Sequence, residues 1–254
     1  MSLRSQVGKL RQAVLRSISR RIATIPCDQP TVSFSFDDFP RSALTVGGEI
    51  LCRAQARGTY YTAFSLMDST NELGCHFTRR DLDELLSAGH ELANHTYSHV
   101  SARALNAAAY RDEVTSGYKS LFDAVGPQAS SNFSYPFGDL TLRTKKMVGP
   151  TAQSCRGVFG GLNGPVIDLN LLAANSIYGD GEKPLSSAKD LLKQNAARKT
   201  WLIFYTHDVQ ETPSPWGCTP VLFERIVQAA LDSGARIVTI GEMVSRATLT
   251  TSAS

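Results

Sequence analysis

Segments rich in β-branched and aromatic residues alternate along the chain with segments of helical periodicity. The first kind predicts strands at residues 31–36, 58–64, 90–93, 133–135, 151–156, 201–206 and 236–240. The second kind predicts helices at residues 78–88, 106–124, 186–199 and 219–232. Capping residues support the helix ends: Thr78 with Asp81, Asn106, Thr219 before Pro220, Gly89 and Gly126. This alternation predicts a single α/β domain with mostly parallel strands.

The first 24 residues carry a separate pattern. Their apolar residues recur at steps of three or four, on one stripe of a helix: Val7, Leu10, Val14, Ile18 and Ile22. We therefore predict a basic amphipathic helix at residues 1–24, followed by one α/β domain at residues 25–254. Three interpretations stay open. The segment closes one end of the domain, or makes peripheral contact with an anionic membrane or a partner through residues 4–22, or is a disordered basic tail.

Composition excludes several classes of protein. The 254 residues are 42% hydrophobic and 19% charged, as in globular proteins, and no apolar run approaches the roughly 20 residues of a membrane-spanning helix. All the basic excess lies in residues 1–24, so the remaining chain offers no broad basic surface for nucleic acid. The five scattered cysteines argue against a disulfide framework or a cysteine zinc site. With no secretory signal visible, we expect a reducing compartment, the cytoplasm.

Polar clusters follow four of the predicted strands. In parallel α/β folds, functional residues gather at the carboxyl ends of strands, so these clusters are expected to meet. They are Asp37-Asp38, His95 with His99, Pro136-Phe137-Gly138 and His207-Asp208.

Two of the clusters have the chemistry of a metal site. Two adjacent carboxylates, Asp37 and Asp38, cannot both be buried and charged without a cation or strong donors, although an Asp-Asp pair also begins many turns. Since neighbouring side chains on an extended chain diverge, one carboxylate can bind a metal while the other faces a water on it. With one carboxylate, His95 and His99 make a three-ligand set that leaves a position open for water.

Two further residues have alternative interpretations. His207 ends a strongly apolar strand, where it is either a core histidine or a general acid that titrates near neutral pH. Asp208 either orients the His207 ring or begins the next turn. Trp216, in a proline-rich loop, either stacks on a sugar ring or anchors the loop in the core.

Four motifs resemble those of the polysaccharide deacetylase family, carbohydrate esterase family 4, with its NodB-like domain. The similarity spans about residues 31–245. The motifs, in the family's order, are Ser35-Phe36-Asp37-Asp38, His95-Thr96-Tyr97-Ser98-His99, Tyr135-Pro136-Phe137-Gly138 and Tyr205-Thr206-His207-Asp208. The resemblance implies a distorted (β/α) barrel with about seven parallel strands. It also implies metal-dependent hydrolysis of an N-acetyl group on a sugar.

The family's functional residues map onto this sequence one by one. Asp38, His95 and His99 match its metal ligands. Asp37 matches the catalytic base and His207 the catalytic acid. Phe137, next to Pro136, matches the residue whose backbone N–H helps to hold the oxyanion. One divalent ion is therefore expected, with zinc the default for an Asp-His-His set and cobalt, nickel or manganese as alternatives.

The sequence departs from the family at three places. Phe39 stands where the family usually has glycine, which adds an aromatic wall or reshapes the loop. Ser134 replaces the arginine that commonly precedes the Tyr-Pro element and steadies the base. The D-x-x-D-W element is missing from its expected region, and Arg156 is a candidate to take over part of its role.

The leading functional hypothesis is a metal-dependent deacetylase for an N-acetylated sugar. Because no export signal is visible, we expect an intracellular substrate, such as a nucleotide-linked or lipid-linked precursor of a surface polysaccharide. Two alternatives stay open: a deformylase or amidase that uses the same site, and a sugar-binding protein on the deacetylase scaffold that has lost turnover. The sequence does not determine the oligomeric state.

Overall fold

A parallel sheet forms the centre of the protein. The computed structural model describes residues 14–250. Within these residues the strands are β1 (Ile22–Thr24), β2 (Thr31–Asp37), β3 (Thr59–Thr62), β4 (Thr70–Asn71), β5 (Gly74–Cys75), β6 (Glu91–Asn94), β7 (Phe133–Ser134), β8 (Cys155–Arg156), β9 (Val166–Asp168), β10 (Asn175–Ser176), β11 (Trp201–Thr206), β12 (Arg236–Ile237) and β13 (Thr248–Leu249). Seven of them lie in the order β10-β11-β2-β3-β6-β7-β8, and β12 also pairs with β2. Every pair in this sheet is parallel.

Helices connect the strands of this sheet. They are α1 (Glu49–Arg53), α2 (Arg79–Ser87), α3 (Ala107–Val125), α4 (Leu142–Val148), α5 (Glu182–Arg198), α6 (Pro220–Asp232) and α7 (Ile240–Val244). A π-helix spans Ala43–Gly48, and short 3-10 turns span Phe64–Leu66, Gly126–Gln128 and Pro136–Gly138.

The two ends of the sheet approach each other. The backbone N–H of Leu172 donates to the Cys155 carbonyl of β8, and the Leu172 carbonyl accepts from Gly157. The same segment then runs into β10, which pairs with β11. The sheet therefore curls, and the expected distorted (β/α) barrel of about seven parallel strands is confirmed.

The period-2 pattern of the central strands separates two cores. On β2, Val32, Phe34 and Phe36 pack with the helices in the outer core. The intervening Ser33 and Ser35 face the other side, where Ser33 Oγ accepts a hydrogen bond from the indole N–H of Trp201. Because side chains alternate along a strand, the same register turns Asp37 toward the interior of the curled sheet.

Helix boundaries follow the capping residues. Thr78 and Asp81 form a reciprocal capping box at α2, and Thr219 caps α6, as predicted. Helix α5 begins at Glu182, four residues earlier than predicted, because Pro184 is tolerated in a first turn. The last strand is shorter than predicted, since Thr239 caps α7 and ends the extended segment.

The N-terminal prediction needs correction. Residues 1–13, including Val7 and Leu10, lie outside the described residues. The described helical residues are 14–17, and Ile22 belongs to strand β1 instead of a continuing helix. Val14 and Ile18, predicted on the apolar stripe, are 40% and 39% exposed, whereas Leu15 is buried.

Local contacts explain why the helix stops. Ser19 has a positive φ of 53°, which a helix cannot contain. The buried ammonium group of Lys145 donates to the carbonyls of Leu15 and Ile18, at 2.8 and 3.0 Å, and to Asp168 at 2.6 Å. These contacts hold residues 15–18 against the domain. Strand β1 then forms an antiparallel sheet with β9 and β13, which the sequence did not predict.

Neither membrane span nor disulfide is found in this part of the chain. No helix among residues 14–250 combines the length and the apolar character needed to cross a membrane. All five cysteines are free thiols.

Candidate active site

A cavity of about 380 Å³ opens at the carboxyl ends of the parallel strands. It is lined by residues from all four predicted clusters, among them Asp37, Asp38, His95, His99, Phe137 and His207. Each cluster reaches the cavity because the chain leaves a strand immediately before it. The structure therefore brings together residues that are up to 170 positions apart in the sequence.

Asp38, His95 and His99 form a compact group inside the cavity. One ligand atom of each lies within 4.8 Å of the others. The Nε2 atoms of His95 and His99 lie 3.5 and 3.0 Å from Asp38 Oδ1. The two histidines lie in a loop after β6. Positive φ angles at Thr96 and His99, 64° and 52°, turn both rings into the cavity.

The protonation states of this group suit a cation. Burial lowers the pKa of His95 to about 4, and burial followed by the nearby His95 lowers that of His99 to about 3, so both rings are neutral at pH 7. The Nδ1 atom of His95 donates to the Ser134 carbonyl at 2.8 Å, which leaves the Nε2 lone pair facing Asp38.

The Asp38 carboxylate also lacks a partner. Burial, then the charges of Asp37 and Glu72, raise the pKa of Asp38 well above its usual value. Its buried Oδ1 makes no hydrogen bond among the described residues, although two imidazole nitrogens lie nearby. Lone pairs of three side chains thus converge without a donor between them. A divalent cation bound by Asp38, His95 and His99 fits this arrangement.

Asp37 is held by an arginine from a different strand. The guanidinium of Arg156, fully buried at the end of β8, forms an ion pair with Asp37 and donates to Ser134 Oγ at 2.6 Å. Its central carbon lies 5.0 and 4.8 Å from the ring centroids of Tyr61 and Tyr205. Ser134, which pairs with Arg156 in the neighbouring strands β7 and β8, thus accepts a hydrogen bond from the arginine.

This ion pair controls the ionisation of Asp37. Burial raises the pKa of the carboxyl, but the charge of Arg156 and the nearby imidazoles of His95 and His207 more than offset it and hold the pKa below its usual value. Asp37 is therefore an ionised carboxylate at neutral pH. It is buried beside the Asp38 group and can accept a proton there.

His207 follows β11 directly and lines the same cavity. Its Nε2 is 3.9 Å from Asp38 Oδ2, and its Nδ1 donates to the Trp216 carbonyl at 3.1 Å. Asp208 does not orient this ring; its carboxylate instead accepts from the backbone and hydroxyl of Ser214 and begins the next turn. Burial is the main cause of a lowered His207 pKa, although the Asp37 charge opposes it.

Two aromatic side chains border the mouth of the cavity. Phe137 is 65% exposed and its ring centroid lies 4.4 Å from that of His99. Trp216 is 45% exposed and also lines the cavity, so it is not a buried core tryptophan. Pro136 is buried and does not line the cavity; it starts the turn that presents Phe137 with a positive φ of 59°.

Phe39, where the resemblance led us to expect glycine, has a left-handed backbone that favours glycine. Its φ is 58°, and its ring is fully buried away from the cavity, stacked on Phe77 at 5.0 Å. The Phe39 ring therefore packs in the core and does not form an aromatic wall of the cavity.

Sequence reasoning missed several residues of the cavity wall, including Leu66 and Val158. Tyr178 and Tyr205 line it beside His207, and the hairpin of β4 and β5 contributes Asn71, Glu72 and Leu73. Tyr205 belongs to the motif Tyr205-Thr206-His207-Asp208. It could have been found from the sequence because it lies on the same face of β11 as Ile203. The hairpin and Tyr178 carry no sequence signal for this position, because only the tertiary fold brings them to the cavity.

Comparison with known proteins identifies the family. The sequence model described as "Polysaccharide deacetylase" matches residues 25–150. The chain belongs to the polysaccharide deacetylase family. Its matched region includes Asp37, Asp38, His95, His99 and Phe137. Among the curated proteins searched, none matches the chain.

Solved structures share the fold of this deacetylase-family chain at low sequence identity. The Xyl-CE4 domain of a multidomain xylanase from the hindgut metagenome of Trinervitermes trinervoides is 19% identical, with a TM-score of 0.59 over 86% of this chain and 91% of that one. The chitin deacetylase of the fungal pathogen Colletotrichum lindemuthianum is 17% identical, with a TM-score of 0.59 over 86% and 89%. A CE4 family pseudoenzyme from Bacillus anthracis is 14% identical, with a TM-score of 0.52 over 86% and 66%.

Proposed function

We propose that the protein is a metal-dependent hydrolase that removes the N-acetyl group from an N-acetylated sugar. The observation that carries this proposal is the coexistence of two separate sets of groups in one cavity. Asp38, His95 and His99 offer three convergent ligand atoms, while Asp37 and His207 stand beside them as a carboxylate and an imidazole. A site that only binds sugar has no need of both proton-transfer groups.

The roles of the residues follow from their surroundings. A divalent cation, when bound, supplies Lewis acidity and lowers the pKa of a water. Asp37, ionised because of Arg156, accepts a proton from the attacking water. The backbone N–H of Phe137 donates to the oxyanion that forms as the amide carbonyl is attacked. His207, with its Nδ1 fixed by Trp216, presents Nε2 to protonate the leaving amine.

The exposed aromatic rings suit a carbohydrate substrate. Phe137 and Trp216 present apolar faces at the mouth, and sugar rings pack their C–H faces against such surfaces. The name of one structural neighbour, a chitin deacetylase, is compatible with an N-acetylated glycan. Zinc is the cation we expect, with cobalt, nickel or manganese as alternatives. The intracellular setting and the linkage of the sugar stay predictions from the sequence.

Metal content and acetate release test the proposal together. The purified protein should contain close to one divalent ion per chain and release acetate from N-acetylglucosamine oligosaccharides. His95→Ala should lose both the ion and the acetate release. His76→Ala is a matched control, because His76 lies near Asp38 but outside the ligand group. Acetate release by metal-free protein would contradict the mechanism.

The acyl group needs a separate test. A panel of N-formyl, N-acetyl and N-propionyl sugars, together with a small non-sugar amide, distinguishes a deacetylase from a deformylase or an amidase. We expect the N-acetyl sugar to have the highest kcat/KM.

A non-catalytic sugar-binding protein is the second candidate, because a structural neighbour is a pseudoenzyme of the same family. Asp37→Asn distinguishes the two. If the protein is an enzyme, this variant retains the metal and loses turnover. If the intact protein binds N-acetylated sugars but turns none of them over, the binding function replaces the proposed one.

A further inference from the structure

The mouth of the cavity carries one carboxylate that the proposed mechanism does not use. Glu72 lies at the turn between β4 and β5 and lines the cavity with its neighbours Asn71 and Leu73. Its side chain is exposed to solvent. The hairpin therefore places a solvent-exposed anionic group on the wall of the cavity that holds Asp38, His95 and His99.

No cation within residues 14–250 neutralises Glu72. Among residues 14–250, no lysine or arginine forms an ion pair with it and no donor hydrogen-bonds to it, whereas the exposed Glu182 and Glu224 each pair with an arginine. The described lining of the cavity contains neither lysine nor arginine. Arg156, the arginine that pairs with Asp37, is fully buried and its guanidinium is engaged by Asp37 and Ser134.

A cavity wall whose described residues include an unpaired carboxylate and no lysine or arginine bears on which substrates the proposed reaction can use. Proteins that bind phosphate or diphosphate groups place lysine, arginine or a helix N-terminus against them. This cavity presents a carboxylate instead. A carboxylate at the wall of a cleft attracts a positively charged group of the ligand and repels an anionic one.

We propose that Glu72 makes the site selective for N-acetylated sugars whose neighbouring unit carries a free ammonium group, over sugars joined to a phosphate or diphosphate. This inference rests on the proposed function, because it concerns the substrate of the same site. It counts against the nucleotide-linked and lipid-linked precursors expected from the sequence.

Selectivity of this kind changes the order of reaction along a polymer. Hydrolysis of an N-acetyl group leaves an amine on the sugar, which takes up a proton to become an ammonium group. That product unit then lies next to an unreacted N-acetyl sugar. Since Glu72 favours an ammonium group in the neighbouring position, each turnover improves the adjacent site, and deacetylated units should occur in blocks.

Three ligands that share the reacting sugar test the proposal. They are an N-acetylglucosamine disaccharide, the same disaccharide with a free amine on the second unit, and N-acetylglucosamine on a nucleoside diphosphate. The full-length protein is compared with Glu72→Gln and Glu72→Lys at a pH where the amine is protonated. Asp190→Asn is the matched control, because Asp190 is an exposed carboxylate on α5 outside the cavity lining.

The readout is the ratio of kcat/KM values between ligands. We expect the intact protein to prefer the amine-bearing disaccharide to the neutral one, and the neutral one to the diphosphate. Glu72→Gln should reduce each preference roughly three- to tenfold, as expected for one charge in a solvated cleft. Glu72→Lys should reverse the ranking, and added salt should weaken the preferences of the intact protein.

Two results would overturn the proposal. One is an equal change for all three ligands in Glu72→Gln, which would assign Glu72 to the metal environment or to a sugar hydroxyl. The other is no change at all. If the intact protein turns over none of the ligands, the proposed function fails, and the ratios of dissociation constants from calorimetry then test Glu72 by the same criteria.

Discussion

Two carboxylates, one at the amino ends and one at the carboxyl ends of the parallel strands, differ in how the surrounding residues stabilise their negative charge. Glu91, at the start of β6, is surrounded by donors on both oxygens: Thr59 Oγ1, the Gly241 backbone N–H, Ser130 Oγ and Asn132 Nδ2. Asp38, after the end of β2, is almost completely buried and has an oxygen without a donor. The first carboxylate connects strands and helix α7, whereas the second lacks the partner that would stabilise it.

The backbone shows the same contrast. Five non-glycine residues around the cavity have positive φ angles: Asp38, Phe39, Thr96, His99 and Phe137. None of the residues that donate to Glu91 has one. Each such conformation costs about 1–3 kcal/mol and persists only where the surrounding fold enforces it. The Glu91 network thus stabilises the sheet, while the cavity holds unfavourable conformations and charges that suit a ligand.

Asp38→Asn should have the largest effect. It removes a ligand atom from the convergent group, so we expect loss of bound metal and a fall in kcat of about 10³-fold or more. The same change removes a buried charge without a partner, so the metal-free protein should become more stable, with a rise in Tm of about 2–4 °C. Metal analysis, acetate release and thermal unfolding with a chelator measure the three effects. A lower Tm would show that Asp38 stabilises the fold.

Glu91→Ala should have the opposite effects to Asp38→Asn: lower stability, with metal binding and activity retained. Four donors lose their acceptor, and we expect the free energy of unfolding to fall by about 3 kcal/mol or more. Metal content and kcat per folded molecule should not change. Denaturant titration measures the stability, with Glu84→Ala as control because Glu84 is an exposed partner of Arg80 on α2. Loss of bound metal in folded Glu91→Ala would contradict the separation between the two ends.

Arg156 combines features of the Glu91 network and of the cavity. Its side chain is fully buried, as in a structural network, but it forms an ion pair with the cavity residue Asp37. The guanidinium holds the pKa of Asp37 low, so Arg156→Gln should raise that pKa and move the acidic limb of the kcat/KM profile to higher pH. Arg156→Lys keeps the charge and should move the limb less. A pH–rate profile for the three proteins makes the comparison. An unmoved limb in Arg156→Gln would mean that another group sets it.

Stability should respond to pH through the same pair. A carboxyl whose pKa is lowered by folding stabilises the protein above its unfolded pKa, and this contribution disappears as the pH falls through the folded pKa. Arg156→Gln should therefore lose stability at neutral pH and less in acid.

The sequence predicts those parts of the molecule that depend on local pattern. The alternation in β2 and β11, the caps at Thr78 and Thr219, and the positions of polar clusters after strands are all local. They suffice for the central parallel sheet and for the polar residues that follow its strands in the cavity. The antiparallel sheet of β1, β9 and β13 was missed because its strands are two or three residues long and pair across the whole chain.

The missed parts of the site have the same origin. Arg156 was a candidate for a supporting role, but its contact with Asp37 joins the ends of two strands, β8 and β2, that are 119 residues apart in the sequence. The position of Glu72 depends on a hairpin that periodicity does not reveal. For residues 14–22, the apolar spacing predicted a continuous helix, which the positive φ of Ser19 and the contacts of Lys145 prevent.

Phe137 offers the smallest and most specific test of the contrast. It combines a left-handed backbone with an exposed ring at the mouth of the cavity. Phe137→Gly removes both the backbone strain and the ring, whereas Phe137→Ala removes the ring alone. If the ring contacts the sugar, both variants should raise KM by a similar factor. Only the glycine variant should also gain stability, by about 1 kcal/mol relative to the alanine variant, because glycine adopts a positive φ without steric cost. Equal stability of the two variants in denaturant titration would show that the loop relaxes around residue 137. The strain would then not be part of what holds the site in place.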